Sequence, residues 1–194
     1  MIGEWVYING EMRPKAEATV SVFDHGFIYG DGVFEGIAIA CGGVFKLDAH
    51  IQRLVESAGY LAIKAPDHSV LREAALQTAR RNELREGYLR MVLTRGSGPV
   101  GIRNMDQLSD PTLVVIAQAE DREKRKSLYA NGIKAILSSV RRIPAECLDG
   151  RAKTCNYINN ILAYMEAKHA AADTAIMLDT NGALAECHAA NSSS

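Results

Sequence analysis

A chain of 194 residues with a formal net charge of −1 is long enough to bury one or two hydrophobic cores. That balance gives no footprint for nucleic acid or an anionic membrane surface, and no apolar run approaches the ~20 residues of a membrane span. The four cysteines, Cys41, Cys147, Cys155 and Cys187, contain no Cys-x-x-Cys pair and argue against a disulfide framework or a zinc site.

In chain order, Trp5-Val6-Tyr7-Ile8 reads as a strand and Asn9-Gly10 as a hairpin turn. Val33–Ala40 is a second strand, with Gly42-Gly43 turning it back into Val44-Phe45. Asp48 is the expected N-cap of a helix that buries Ile51, Leu54, Val55, Ala58 and Leu61. A second helix starts near Asp67–Ser69. Tyr88–Thr94 and Thr112–Gln118 are β-rich.

The charge run Glu120–Lys126 marks a solvated boundary, dividing a small N-terminal α/β domain (1–120) and a linker (121–127) from a second domain (128–194). Ile133–Val140 reads as a strand. Ile158, Ile161, Leu162 and Met165 mark a helix by their spacing. Ala175–Leu178 and Ala183–Glu186 flank Asp179-Thr180-Asn181-Gly182 as a hairpin. The N-terminus, Met1-Ile2-Gly3-Glu4-Trp5, lacks the order of a secretory signal, so a cytoplasmic location is expected.

Lys153 carries the most chemistry. It lies in Arg151-Ala152-Lys153-Thr154-Cys155-Asn156-Tyr157, just ahead of a helix, with the acid Glu186 beyond. A deprotonated lysine condenses with aldehydes, and pyridoxal-phosphate enzymes pair such a lysine with a charged partner for the pyridine nitrogen. Lys153, Tyr157 and Glu186 are a candidate set for that chemistry.

The block Val22–Gly36 holds Gly26, Gly30, Gly32 and Gly36, which permit close backbone approach, and Phe27, Tyr29 and Phe34, which could wall a pocket. It matches neither a Rossmann nor a P-loop pattern. Asp24 and His25 are adjacent, and adjacent residues on extended backbone face opposite ways, so they read as polar loop residues rather than a dyad. His50, His68, His169 and His188 have no metal-ligand spacing, and no metal site is expected. Arg53, early in its helix, is placed to meet an anion, or is simply an exposed helix arginine. Tyr88 and Arg90 share one strand face, suited to a carboxylate ligand or to an internal acid.

Together the Val22–Gly36 block, Ala49-His50-Ile51-Gln52-Arg53-Leu54, Tyr88-Leu89-Arg90 through Thr94-Arg95-Gly96, Lys153-Thr154-Cys155-Asn156-Tyr157 and Ala185-Glu186 through Asn191 resemble the class IV, fold-type-IV pyridoxal-phosphate aminotransferases. The branched-chain amino acid aminotransferases are the most similar branch, and the likeness runs over residues 4–191. It implies a two-domain α/β fold of the D-amino acid aminotransferase type.

The resemblance also assigns roles. Pyridoxal 5′-phosphate would be held by Lys153 as a Schiff base, with Glu186 at the pyridine nitrogen, Tyr157 near the ring hydroxyl and Arg53 on the phosphate. Lys153 would shuttle a proton during transamination. Tyr29, Phe34, Tyr88 and Arg90 would line the substrate pocket. An amino acid and a 2-oxo acid, 2-oxoglutarate by expectation, would share one site in ping-pong order, in a homodimer.

Two departures qualify this. Branched-chain enzymes carry an arginine where this chain has Ala38, which keeps a D-amino acid aminotransferase open. The chain stops at Ser192-Ser193-Ser194, where the family pattern continues, so the second domain is expected to be incomplete, with exposed apolar surface. The other readings are 4-amino-4-deoxychorismate lyase, which shares the fold and the lysine, and an inactive fragment.

Overall fold

Inward-facing side chains alternating along the central strands, with two amphipathic helices to cover them, build the first unit. The computed structural model describes residues 2–120, 126 and 130–187. Within it the chain divides into two compact units, Met1–Arg122 with Ala152–Cys155, and Glu123–Arg151 with Asn156–Ser194. Most of the charged 121–127 segment and everything after Cys187, including the end of the Ala185–Asn191 motif, lie outside the described residues.

The first unit is a six-stranded antiparallel sheet of β1 (Ile2–Ile8), β2 (Glu11–Pro14), β3 (Gly32–Ala40), β4 (Gly43–Val44), β5 (Gly87–Thr94) and β6 (Thr112–Ala119) in the order β2-β1-β6-β5-β3-β4. Asn9 and Gly10 turn β1 into β2 at positive φ (46° and 99°), as an Asn-Gly hairpin demands. The next turn is Cys41-Gly42 rather than Gly42-Gly43, because Ala40 pairs directly with Gly43. One sheet face is a continuous core of Val33, Ile37, Ile39, Leu89, Met91, Leu93, Leu113, Val115 and Ala117. The helices α2 (Leu47–Tyr60) and α3 (His68–Arg81) cover it with Ile51, Leu54, Ala58, Leu71, Ala74 and Ala75. Each large aliphatic side chain buried this way is worth roughly 1.5–3 kcal/mol. Asp48 does not cap α2. The chain enters through Lys46 in the left-handed region, which leaves Asp48 in the first turn beside His68 and Arg72.

The short helix α1 (His25–Tyr29) is capped by Asp24, whose carboxylate accepts from Gly26 N (2.8 Å) and from the Thr94 and Thr112 hydroxyls (2.9 and 2.7 Å). Those two threonines are partners at the ends of β5 and β6. Asp24 is thus consumed structurally, and His25 bonds Pro99 O at 3.2 Å instead of forming a dyad with it. Arg95 does related work, forking onto Asp31 and reaching the Leu61 carbonyl at the end of α2.

The second unit has a three-stranded sheet, β7 (Ala135–Leu137), β8 (Thr174–Leu178) and β9 (Leu184–Cys187), with α4 (Ile158–His169) against it. β7 is shorter than the Ile133–Val140 reading, for Ser138 and Ser139 leave the strand to bond Glu166 of α4 (Ser138 Oγ 2.6 Å, Ser139 N 2.8 Å). The hairpin at Asp179–Gly182 forms as expected. The core here is thin: Ala163 and Ala167 of α4 meet Ala175 and Met177. The apolar stripe of α4 points the other way, with Ile158, Ile161, Leu162 and Met165 all exposed. No helix among the described residues is long and apolar enough to cross a membrane.

Candidate active site

The segment carrying Lys153 is fastened to the first unit. β4 pairs only with the far end of β3, so the first residues of β3 keep a free edge. Residues 153–155 fill it: Phe34 N donates to Lys153 O (2.9 Å), Cys155 N donates to Gly32 O (2.8 Å), and Val33 bridges Thr154. Lys153 N donates to the hydroxyl of buried Ser57 on α2 (3.0 Å). These attachments hold a half-buried lysine at a set place.

The side-chain amine projects over the Phe34 ring, 4.9 Å from its centroid. The Arg90 guanidinium lies on the same ring at 3.9 Å, and 6.0 Å from Tyr88. This clustering follows from period 2 and register. Phe34, Gly36 and Ala38 on β3 oppose Val92, Arg90 and Tyr88 on β5, so all share the face away from the helices. Gly36 is required there. A Cβ would stand 2.7 Å from the Tyr88 ring and 2.8 Å from its hydroxyl. Burial raises the Tyr88 phenol, against the opposing pull of Arg90, so it remains a neutral hydrogen-bond donor. Burial also pushes the Cys155 thiol up to about 11, which leaves it an inert neighbour of Lys153.

On the other face of β3, Glu35 has a side chain with no solvent exposure. A carboxylate in an apolar layer requires charged partners. Arg53 forks onto it through Nε and Nη2, the latter at 2.8 Å, and His50 Nδ1 donates at 2.9 Å. Burial alone would raise the Glu35 carboxyl. The hydrogen bonds from Arg53 and His50 outweigh that and hold it below its usual range. Its contribution to stability is therefore full above the ordinary carboxylate range and drains as pH falls through the lowered value. Glu35→Gln is expected to lack that acid limb, so its gap in urea midpoint from the wild type narrows between about pH 6 and pH 3. An unchanged gap would show that Glu35 does not titrate as argued.

His50, Arg53 and Ser57 share one flank of α2, at i, i+3 and i+7. Of these, the sequence reading singled out only Arg53. The polar i, i+3, i+7 pattern beside an apolar face was the available signal for the other two. Ser57→Ala should release the Lys153 amide, speeding its hydrogen exchange by about fivefold, as loss of one hydrogen bond implies. Exchange at the wild-type rate would remove Ser57 from this role.

The second unit places Glu186 on β9, where its Oε1 accepts from Arg142 Nε (2.7 Å) and from buried Asn160 Nδ2 of α4 (3.3 Å). Tyr157 is the N-cap residue of α4 and is half-buried. Arg142 and Asn160 were not anticipated from sequence. They hold a strand carboxylate from two sides.

The profile of the family described as Amino-transferase class IV matches residues 32–192. The chain belongs to the class IV aminotransferases. It is 42% identical over 182 residues to the putative branched-chain-amino-acid aminotransferase of Methanocaldococcus jannaschii, covering 93% of this chain and 62% of that protein. The aminodeoxychorismate lyase of Bacillus subtilis is 32% identical over 184 residues, covering 93% of this chain and 61% of that one. Among solved structures, the T.th. branched-chain amino acid aminotransferase with pyridoxamine 5′-phosphate superposes with a TM-score of 0.89 at 33% identity, over 96% of this chain and 63% of that one. This class IV chain thus spans about three fifths of the length of these relatives.

Of the residues the family likeness points to, Phe34, Tyr88, Arg90 and Lys153 gather in the first unit. Arg53 stands on Glu35 with its side chain 49% exposed. Tyr29, on α1, accepts from Gly101 N through its hydroxyl (2.8 Å) and packs edge-on against His25. Tyr157 and Glu186 belong to the second unit.

Proposed function

We propose that this chain carries the lysine-centred chemistry of a pyridoxal-phosphate-dependent aminotransferase acting on branched-chain amino acids, with 2-oxoglutarate as amine acceptor. The observation that carries the reading is Lys153, half-buried and fixed at its backbone by Ser57 and by β3, with its amine over Phe34. In the first unit an anchored primary amine and a half-exposed arginine suit the cofactor's aldehyde and phosphate. The second unit, by itself, offers a carboxylate held by Arg142 and a tyrosine at a helix start. Pyridoxal phosphate, when bound, supplies the electron sink that lets the Cα–H bond of an amino acid break.

The protein's share is positioning and proton transfer. Lys153 Nζ would accept the Cα proton of the amino acid, its amine serving as the general base. By the family likeness, Glu186 would hold the pyridine nitrogen, Tyr157 would lie at the ring hydroxyl and Arg53 would meet the phosphate. Arg90 and Tyr88 offer a cation and a neutral hydroxyl from one strand face to a carboxylate, with Phe34 and Tyr29 as apolar walls. Both half-reactions use these groups, so ping-pong kinetics follow.

The neutral Ala38, opposite Tyr88, supports a second reading with a different amino acid or the lyase reaction. A lyase releases pyruvate without a 2-oxo acid acceptor, which an acceptor-omission assay separates.

Four free cysteines support a reducing, cytoplasmic setting. We also assign a homodimer. Val22, Phe23, Phe27, Val100, Ile102 and Met105 are all exposed on two neighbouring segments tied together by Gly98 N–Phe23 O and Gly101 N–Tyr29 Oη. Phe27→Asp with Ile102→Asp should shift the species in analytical ultracentrifugation to monomer, whereas an unaltered dimer would place the interface elsewhere.

The cofactor reading is tested by borohydride reduction of the 194-residue chain with pyridoxal phosphate, followed by peptide mass mapping. Labelling confined to Lys153 is expected. Labelling scattered over surface lysines of the folded chain overturns it.

A further inference from the structure

We propose that Glu35 is a positioning residue for the cofactor phosphate: by gripping Arg53 through Nε and Nη2 it aims the guanidinium's Nη1 edge outward at that anion. The inference rests on the cofactor reading above and adds a residue and a mechanism to it.

Glu35 lies among Val33, Ile37 and the rest of the apolar layer, and its side chain is fully shielded from solvent. A carboxylate there is costly unless charged donors meet it. Both of its partners come from α2: the Arg53 fork and His50 Nδ1. The fork fixes the plane of the guanidinium, since the group is rigid and two of its nitrogens are engaged on one carboxylate. Among the described residues Arg53 has no polar contact besides Glu35 and the His50 ring, so Nη1 keeps its donors. The side chain is 49% exposed and open to an anion.

The placement along α2 gives the fork its meaning. Ser57, one turn beyond Arg53, holds the Lys153 amide. Four residues of helix advance about 6 Å. The anion-binding edge and the anchored amine are therefore referenced to one flank of one helix. Pyridoxal phosphate carries its aldehyde and its phosphate arm on neighbouring ring carbons, which suits two anchors that close. Without Glu35, Arg53 would sample many rotamers, and the phosphate would have to order it on binding.

The test compares two aldehydes, pyridoxal phosphate and pyridoxal, as probes of Lys153 in borohydride trapping. The readout is the ratio of their half-saturating concentrations. A fall in folded fraction affects both probes alike and cancels in the ratio, so a merely structural role for Glu35 does not move it. The wild type should favour the phosphorylated probe by about tenfold or more. Glu35→Gln, Arg53→Ala and Arg53→Lys should each lower that preference to about threefold or less, and Glu35→Gln should add nothing once Arg53 is alanine. Arg53→Lys keeps a cation opposite Glu35, so it carries the test if Glu35→Gln does not fold. A full preference in Glu35→Gln or Arg53→Lys, beside a collapsed one in Arg53→Ala, overturns the positioning role and leaves the cofactor reading intact. A full preference in Arg53→Ala removes Arg53 from the phosphate and the inference with it. Wild-type protein unlabelled at Lys153 by either probe overturns the cofactor reading itself.

Discussion

Replacing Lys153 by arginine is expected to abolish the borohydride-fixed adduct and to slow single-turnover conversion of an amino acid to its 2-oxo acid by about 10³-fold or more. Arginine separates two properties that alanine would remove together. It retains a cation to sit over Phe34 near Arg90, and it stays protonated at every accessible pH. The fold should therefore survive, because the anchors of residue 153 are its backbone N and O, which Ser57 and Phe34 still meet. On the proposed function, the nucleophile is lost, and with it the base proposed to move the Cα proton. The thiol two residues on offers no substitute, since burial keeps Cys155 protonated up to about pH 11. Equal labelling of the wild type and Lys153→Arg would assign the chemistry to another amine and discard the constellation argued here.

How far the sequence foretold this site depends on the length scale of each feature. Period-2 alternation is local, and it placed Tyr88 and Arg90 on one face of β5 correctly. The turns at Asn9-Gly10 and Asp179–Gly182 are local too, and both hairpins formed. Asp48 misled, because capping depends on how the chain enters the helix, and Lys46 enters at positive φ. The α4 stripe shows a different limit. A spacing of i, i+3, i+4, i+7 says helix, but not which side packs. Ala163 and Ala167 face β8 because small side chains let helix and sheet approach closely, and the larger residues are left outside. In sequence Glu35 is only one residue of the Val22–Gly36 block. Its grip on Arg53 arises where a strand and a helix meet 18 residues apart in sequence, and no local period encodes that.

Asp24→Ala is expected to destabilise the first unit by about 3 kcal/mol, read as a lower urea midpoint at unchanged slope. The carboxylate is 2% exposed, and three donors converge on it: Gly26 N, the Thr94 hydroxyl and the Thr112 hydroxyl. Alanine leaves all three without that acceptor, and each orphaned donor costs about 1 kcal/mol. Asn should cost far less, about 1 kcal/mol, because its carbonyl still caps α1 and threonine hydroxyls can accept as well as donate. The spacing between the two variants is the discriminating quantity. Were Asp24 instead the charged half of a dyad with His25, Ala and Asn would be equally harmful to activity and equally harmless to stability. The structure puts the effect on stability. Gly26 packs so closely that a Cβ would come within 2.2 Å of Thr94, so the cap, the glycine and the β5 terminus form one joint. That joint fixes α1, and with it Tyr29, whose hydroxyl accepts from Gly101 N. Loosening it by Asp24→Ala should therefore raise hydrogen exchange at Gly101 as well as at Gly26, while the Lys153 amide, anchored separately on Ser57, stays protected.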